Sequence, residues 1–118
     1  MTRRDDTVAL RHMHDHAAEA TAMARGRTRV DLDHDRQFAL ALTKLVEIVG
    51  EAAHRVSAQS RSLNAGIAWR QIVGTRNRLV HGYDEVDYDV LWRIVADELP
   101  PLIEQLLAIL ANEEQGQA

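Results

Sequence analysis

The strongest constraint on this chain is a helical period. Phe38, Leu42, Leu45, Val46, Val49, Ala52, Ala53 and Val56 return at steps of three and four residues. At 3.6 residues per turn they share one face of a helix, and an apolar face of that length must be covered by other elements. Glycine and proline are scarce, 6 and 2 of 118 residues, and β-branched residues do not alternate. The expected fold class is therefore all-α.

Other segments follow the same period more weakly. A first helix is expected from about Asp6 to Arg25, with Val8, Leu10, Met13, Ala17, Ala20 and Ala24 as a thin apolar stripe and Gly26 as its stop. Arg25-Gly26-Arg27-Thr28-Arg29 reads as a basic loop, and the long second helix is expected to start near Asp33 and end between Val56 and Gln59. The serine-rich stretch Ser57–Gly66 reads as a loop. Trp69, Ile72, Val73, Leu79 and Val80 define a third helix, closed where Gly82 can turn left-handed. Asp87 is a good N-cap for a fourth helix lined by Val90, Leu91, Ile94, Val95 and Leu99. Pro100-Pro101 then predicts a kink or restart, because neither residue can donate a backbone hydrogen bond. Leu102, Ile103, Leu106, Leu107 and Leu110 continue the stripe, and 112–118 is a polar tail expected to fray.

Four helices with short connections predict an up-and-down four-helix bundle whose last helix bends at the prolines. Apolar surface left over on the long helices points to a homodimer. Trp69, Trp92 and Phe38 are expected in core or dimer packing.

A chain of 118 residues suits one domain, 1–118, burying roughly two-thirds of its unfolded surface. With no cysteine there is no disulfide framework, thiolate metal site or thiol nucleophile. Met1-Thr2-Arg3-Arg4-Asp5-Asp6 lacks the apolar core of a signal peptide, and no apolar run approaches the ~20 residues of a membrane span. The expectation is a soluble cytoplasmic protein with no membrane contact. A net charge of −4 excludes a protein that coats nucleic acid by bulk electrostatics. Any nucleic-acid contact must be local. Arg70, Arg76 and Arg78 do cluster, and Asp84, Glu85, Asp87 and Asp89 follow at once, which suits a small bounded site.

The candidate chemistry lies in Gly74–Tyr83, where two arginines, an asparagine, a histidine and a tyrosine fall within ten residues. Arginine offers phosphate a rigid fork of donors, and histidine exchanges protons near neutral pH. Together they make a minimal kit for attacking a phosphodiester, or equally an ordinary polar helix end. On a regular helix Arg76 and His81 would point roughly 140° apart and could not share one phosphate. Two arrangements escape this. Gly82 can release His81 from the helix, or a two-fold axis can bring two copies of the pair together.

Arg76-Asn77-Arg78-Leu79-Val80-His81-Gly82-Tyr83 resembles the Arg-x4-His-x-Tyr signature of HepT-like toxins, helical ribonucleases of the HEPN (higher eukaryotes and prokaryotes nucleotide-binding) superfamily. Glu47-Ile48-Val49-Gly50-Glu51-Ala52-Ala53 is similar to the family's Ile-Gly-Glu-Ala segment. Ala68-Trp69-Arg70-Gln71-Ile72-Val73-Gly74 is similar to its Pro-Trp-x-x-Ile-x-Gly lead-in. Val86-Asp87, Val90, Trp92 and Leu99-Pro100 also fit, so the resemblance runs from about Arg3 to Leu110. Ala68 stands where relatives often carry proline and Thr75 where they often carry methionine.

The resemblance implies a metal-independent endoribonuclease that uses no cofactor, the toxin of a type VII toxin–antitoxin system, with tRNA as a candidate substrate. It implies catalytic roles for Arg76 and His81 in a composite dimer site, with Asn77 orienting the phosphate. It also implies a minimal nucleotidyltransferase antitoxin that transfers AMP onto Tyr83; Tyr88, the other tyrosine, does not match. Arg78, Arg70 and Glu51 are candidate RNA or partner contacts, and Glu51 could instead order Arg76 across the bundle. His12 and His16 share a helix face, but no third ligand is visible, so no metal site is expected. The competing reading is a non-catalytic nucleotide- or partner-binding helical subunit of a nucleotidyltransferase complex.

Overall fold

The structure, a computed structural model, describes residues 3–80, 82 and 85–116. It is all-α: α1 (Arg3–Ala24), α2 (Asp31–His34), α3 (Arg36–Arg55), α4 (Ala58–Leu63), α5 (Trp69–Val73), α6 (Thr75–Leu79), α7 (Tyr88–Arg93), a π-helical turn (Ile94–Glu98) and α8 (Leu99–Gly116). α1 packs against both α3 and α8, α5 and α6 lie across α3, and α7 continues through the π turn into α8. Phe38, Leu42, Leu45, Val46, Val49, Ala52 and Ala53 form the buried face of α3, as the period predicts.

The first helix brings Leu10, Met13, Ala17 and Ala20 to the core. Ala9 takes the place expected for Val8, which is 49% exposed. The break between the second and third elements falls at Asp35 rather than Asp33. Asp35 adopts an extended backbone, and its carboxylate accepts the Phe38 N–H at 3.1 Å, so it caps α3 while Asp31 and Asp33 belong to the short α2. The stretch expected as a loop contains α4. The Ser57 hydroxyl accepts the Ser60 N–H at 3.1 Å, and the buried Asp6 carboxylate takes both the Ser57 N–H (2.8 Å) and its hydroxyl (2.7 Å). That pairing fixes the start of α4 to α1, a contact across 51 residues that local sequence does not announce.

The proline pair neither ends nor restarts the last helix. The turn before it widens instead: the Leu99 N–H reaches the Ile94 carbonyl, a step of five rather than four. A proline ring in a regular helix presses on the carbonyl four residues back. The widened turn contains both of those carbonyls, Ala96 and Asp97, and the chain stays helical. The polar residues from Asn112 continue α8 to Gly116, where the Thr7 hydroxyl donates to Glu113 and Arg11 pairs with Glu114 at 3.8 Å.

Candidate functional site

The expected third helix is two short ones. Gly74 divides them, with the Thr75 hydroxyl turned back onto the Ile72 carbonyl at 2.6 Å. α6 then stops at Leu79, and Val80 is extended and forms an isolated antiparallel bridge with Val86. The Asp87 N–H donates to the Leu79 carbonyl at 2.7 Å, which ties the two ends of the 80–86 segment together. Gly82 has the expected left-handed backbone (φ +77°), inside this segment rather than as the helix cap. Because the helix ends two residues before position 81, the 140° separation of a regular helix does not govern the pair. His81 and Tyr83 themselves lie outside the described residues.

Gly50 sets how closely α6 seats on α3. A Cβ there would stand 3.0 Å from the Ile72 carbonyl oxygen and 3.2 Å from Thr75 Cβ. Only a hydrogen at that position lets α3 meet the α5–α6 junction so closely. The crossing leaves a groove of about 380 Å³, walled by Glu47, Glu51, His54 and Arg55 of α3 and by Val73 and Arg76. Arg76 and Glu51, picked out separately in the sequence, thus share one groove. Its far wall was not foreseen. Glu47, Glu51, His54 and Arg55 fall at i, i+4, i+7 and i+8, a polar stripe beside the apolar one, and that spacing was the available signal.

The arginines of this region have different fates. Arg78 places its two terminal nitrogens on the two Glu98 carboxylate oxygens, at 2.9 and 2.6 Å, bridging α6 to the π turn. That pairing holds the Arg78 guanidinium above its ordinary pKa. Its fork is therefore occupied within the chain. Arg76, Arg70 and Asn77 are exposed, and among the described residues their side chains make no hydrogen bond or ion pair. Arg70 and Asn77 do not line the groove.

Trp69 is buried with its indole N–H on the Asn64 carbonyl at 3.0 Å, and Phe38 lies in the core beneath Arg27. Trp92 is half-buried against the core. On α1, His16 Nδ1 bonds the His12 carbonyl at 2.8 Å, and the two rings meet edge to face at 6.1 Å. His14 pairs with Asp15 at 2.9 Å. Among the described residues, no three histidine, aspartate or glutamate side chains are grouped as metal ligands would be, and no helix is long and apolar enough to cross a membrane.

Comparison with known proteins gives a consistent result. A family model described as Ribonuclease HepT-like matches residues 13–109. A provisionally named RNase of Caldanaerobacter subterraneus subsp. tengcongensis is 32% identical over 74 residues, covering 63% of this chain and 66% of its own. A second provisionally named RNase, from Methanocaldococcus jannaschii, is 31% identical over 72 residues, covering 61% and 66%. A Thermococcus cleftensis protein named "Probable ribonuclease HepT" is 34% identical over 68 residues, covering 58% and 62%. The chain thus spans just under two thirds of the length of these relatives. No solved structure matches it.

Proposed function

The chain belongs to the HepT-like ribonuclease family, and from that premise we propose that it is a metal-independent endoribonuclease working from a composite site on a homodimer. The supporting observation is the guanidinium of Arg76 at a groove, without a partner among the described residues, on a helix that stops just short of the motif histidine. Arg78, two residues on, is by contrast tied to Glu98.

In the proposed reaction a ribose 2′-oxygen attacks the neighbouring phosphorus, and the bond to the 5′-oxygen breaks. His81 takes the 2′-hydroxyl proton or returns one to the departing 5′-oxygen. Arg76 stabilises the charge that grows on the phosphorane oxygens, and Asn77 orients the phosphate. The internal nucleophile makes RNA the substrate, with tRNA as the leading candidate. We assign the chain as the toxin of a type VII toxin–antitoxin pair, silenced when a nucleotidyltransferase antitoxin places AMP on Tyr83. AMP on that phenol would add bulk and negative charge two residues from His81, repelling an RNA phosphate.

Expression of the parent chain and of His81→Ala, with growth and RNA integrity followed with and without EDTA, tests this reading. Arrest and EDTA-insensitive cleavage by the parent only are expected. Identical behaviour of the two chains would leave the non-catalytic binding subunit. Co-expression with the antitoxin should add 329 Da units, roughly the mass of one AMP residue, on Tyr83; modification of Tyr88 instead would refute the assignment.

A further inference from the structure

The wall of the groove opposite Arg76 has no part in the scheme above. Glu47 and Glu51 stand one turn apart on α3, with His54 and Arg55 one turn further on, and all four line the same cavity as Arg76. The side chains of Glu51, His54 and Arg55 are exposed, and among the described residues none of the four side chains has a hydrogen-bond or ion-pair partner. This holds even though Glu51 and Arg55 have the i, i+4 spacing that favours a pair. A cavity of about 380 Å³ lies at the lower end of the range for small-ligand clefts, ~300–1,000 Å³.

Two kinds of group line it, the carboxylates of Glu47 and Glu51 followed along α3 by His54 and Arg55, with Arg76 facing them from α6. Guanidinium and imidazole groups suit backbone phosphates, and carboxylates are acceptors only, so they repel phosphate and welcome a hydroxyl donor. A ribose-phosphate backbone presents both, a 2′-hydroxyl between successive phosphates, and a deoxyribose backbone presents only the phosphates. We propose that this groove is a sugar–phosphate subsite that distinguishes RNA from DNA: Arg55, with His54, holds a backbone phosphate beside the one at Arg76, and Glu51, with Glu47, accepts a ribose 2′-hydroxyl. The inference deepens the ribonuclease reading and rests on it, but binding can be measured independently of cleavage.

The test uses the 118-residue chain carrying His81→Ala, with affinity for a labelled single-stranded RNA and for the DNA of the same sequence measured by fluorescence anisotropy. RNA integrity is checked on a gel afterwards. Adding Glu51→Gln should lower the RNA-to-DNA affinity ratio about tenfold, through loss of a charge-assisted bond made by RNA only. Adding Arg55→Ala should weaken both ligands equally and lower the salt dependence of binding by about 0.7 in log–log slope, one single-strand phosphate contact. These positions are exposed, and circular dichroism confirms that each variant folds. A Glu51→Gln variant that binds RNA and DNA equally more tightly would show the carboxylate to be only repulsive and would overturn the inference. So would an Arg55→Ala variant with unchanged affinity and slope. Cleavage by the parent chain reports on the ribonuclease reading separately, so either idea can fail without the other.

Discussion

Two arginine-rich places in this molecule use the same residue in opposite ways. At the corner around α2, Arg27 contacts Asp35 at 2.8 Å and Asp31 at 3.5 Å and stacks 4.1 Å over the Phe38 ring. Arg29 reaches Asp89 at 2.7 Å and Asp33 at 3.1 Å. Each is raised above the usual arginine pKa, Arg27 chiefly by its hydrogen bond to Asp35 and Arg29 chiefly by that to Asp89. At the α3–α6 groove, Arg55 and Arg76 stand near Glu47 and Glu51 without a described pair. The corner spends its charges on joining the α1–α3 connection to α7. The groove's charges have no such partner among the described residues, and unlike the equally unpaired Arg70 they share one cavity.

The largest expected consequence is a clean exchange of phenotypes. Arg76→Ala should lower RNA cleavage by about 10²–10³-fold, the cost of losing one donor to a developing oxyanion, with an unchanged melting temperature. Arg27→Ala should do the reverse, lowering the melting temperature and leaving cleavage intact. Equal loss of activity in both variants would erase the distinction.

Gly50→Ala sharpens it. Helix propensity favours alanine by about 1 kcal/mol, whereas overpacking costs about 1–3 kcal/mol, so stability should fall by at most about 2 kcal/mol. The displaced α6 should still cost cleavage about tenfold, because small misplacements of a catalytic group are expensive. Kinetics and calorimetry on one sample check both.

Arg78 and Glu98 form the bond that lies between the two regimes, inside the motif yet turned into the chain. A double-mutant cycle with Arg78→Ala and Glu98→Ala, read by denaturant unfolding, should give a coupling of about 1 kcal/mol, since the pair is bidentate but part-exposed. No coupling would free Arg78 for RNA.

The smallest effect is that of acid. Asp31 is held below its ordinary pKa chiefly by the Thr28 N–H, and Asp35 chiefly by Arg27, with the Phe38 N–H second. A depressed carboxylate stabilises the fold fully above its unfolded value of 3.8 and loses that contribution as pH falls through the lower folded value. The corner should therefore loosen only below about pH 4, a shallow effect given its exposure, as followed by thermal melts across pH 2–6.

The apolar periodicity of α3, the stop at Gly26 and the Asp87 cap were legible because each depends on neighbours within a turn. What escaped depends on distant partners. α4 needs Asp6 of α1, and the π turn relieves two prolines through carbonyls that only the folded helix places beneath them. The site shows the same split. Arg76, Glu51 and Gly50 were all picked out by a family pattern, but that Arg76 and Glu51 share a groove, and the 3.0 Å approach of the Ile72 carbonyl to Gly50, exist only in three dimensions. Arg78 looked as available as Arg76 until Glu98, 20 residues away, claimed it.

The most direct single measurement is the mass of the 3′ end left on RNA cut in EDTA by the parent chain, run beside Arg76→Ala. A 2′,3′-cyclic phosphate from the parent, and almost none from the variant, is the expected outcome. A plain 3′-hydroxyl, or equal cutting by both chains, would contradict a free guanidinium acting on an internal 2′-oxygen attack.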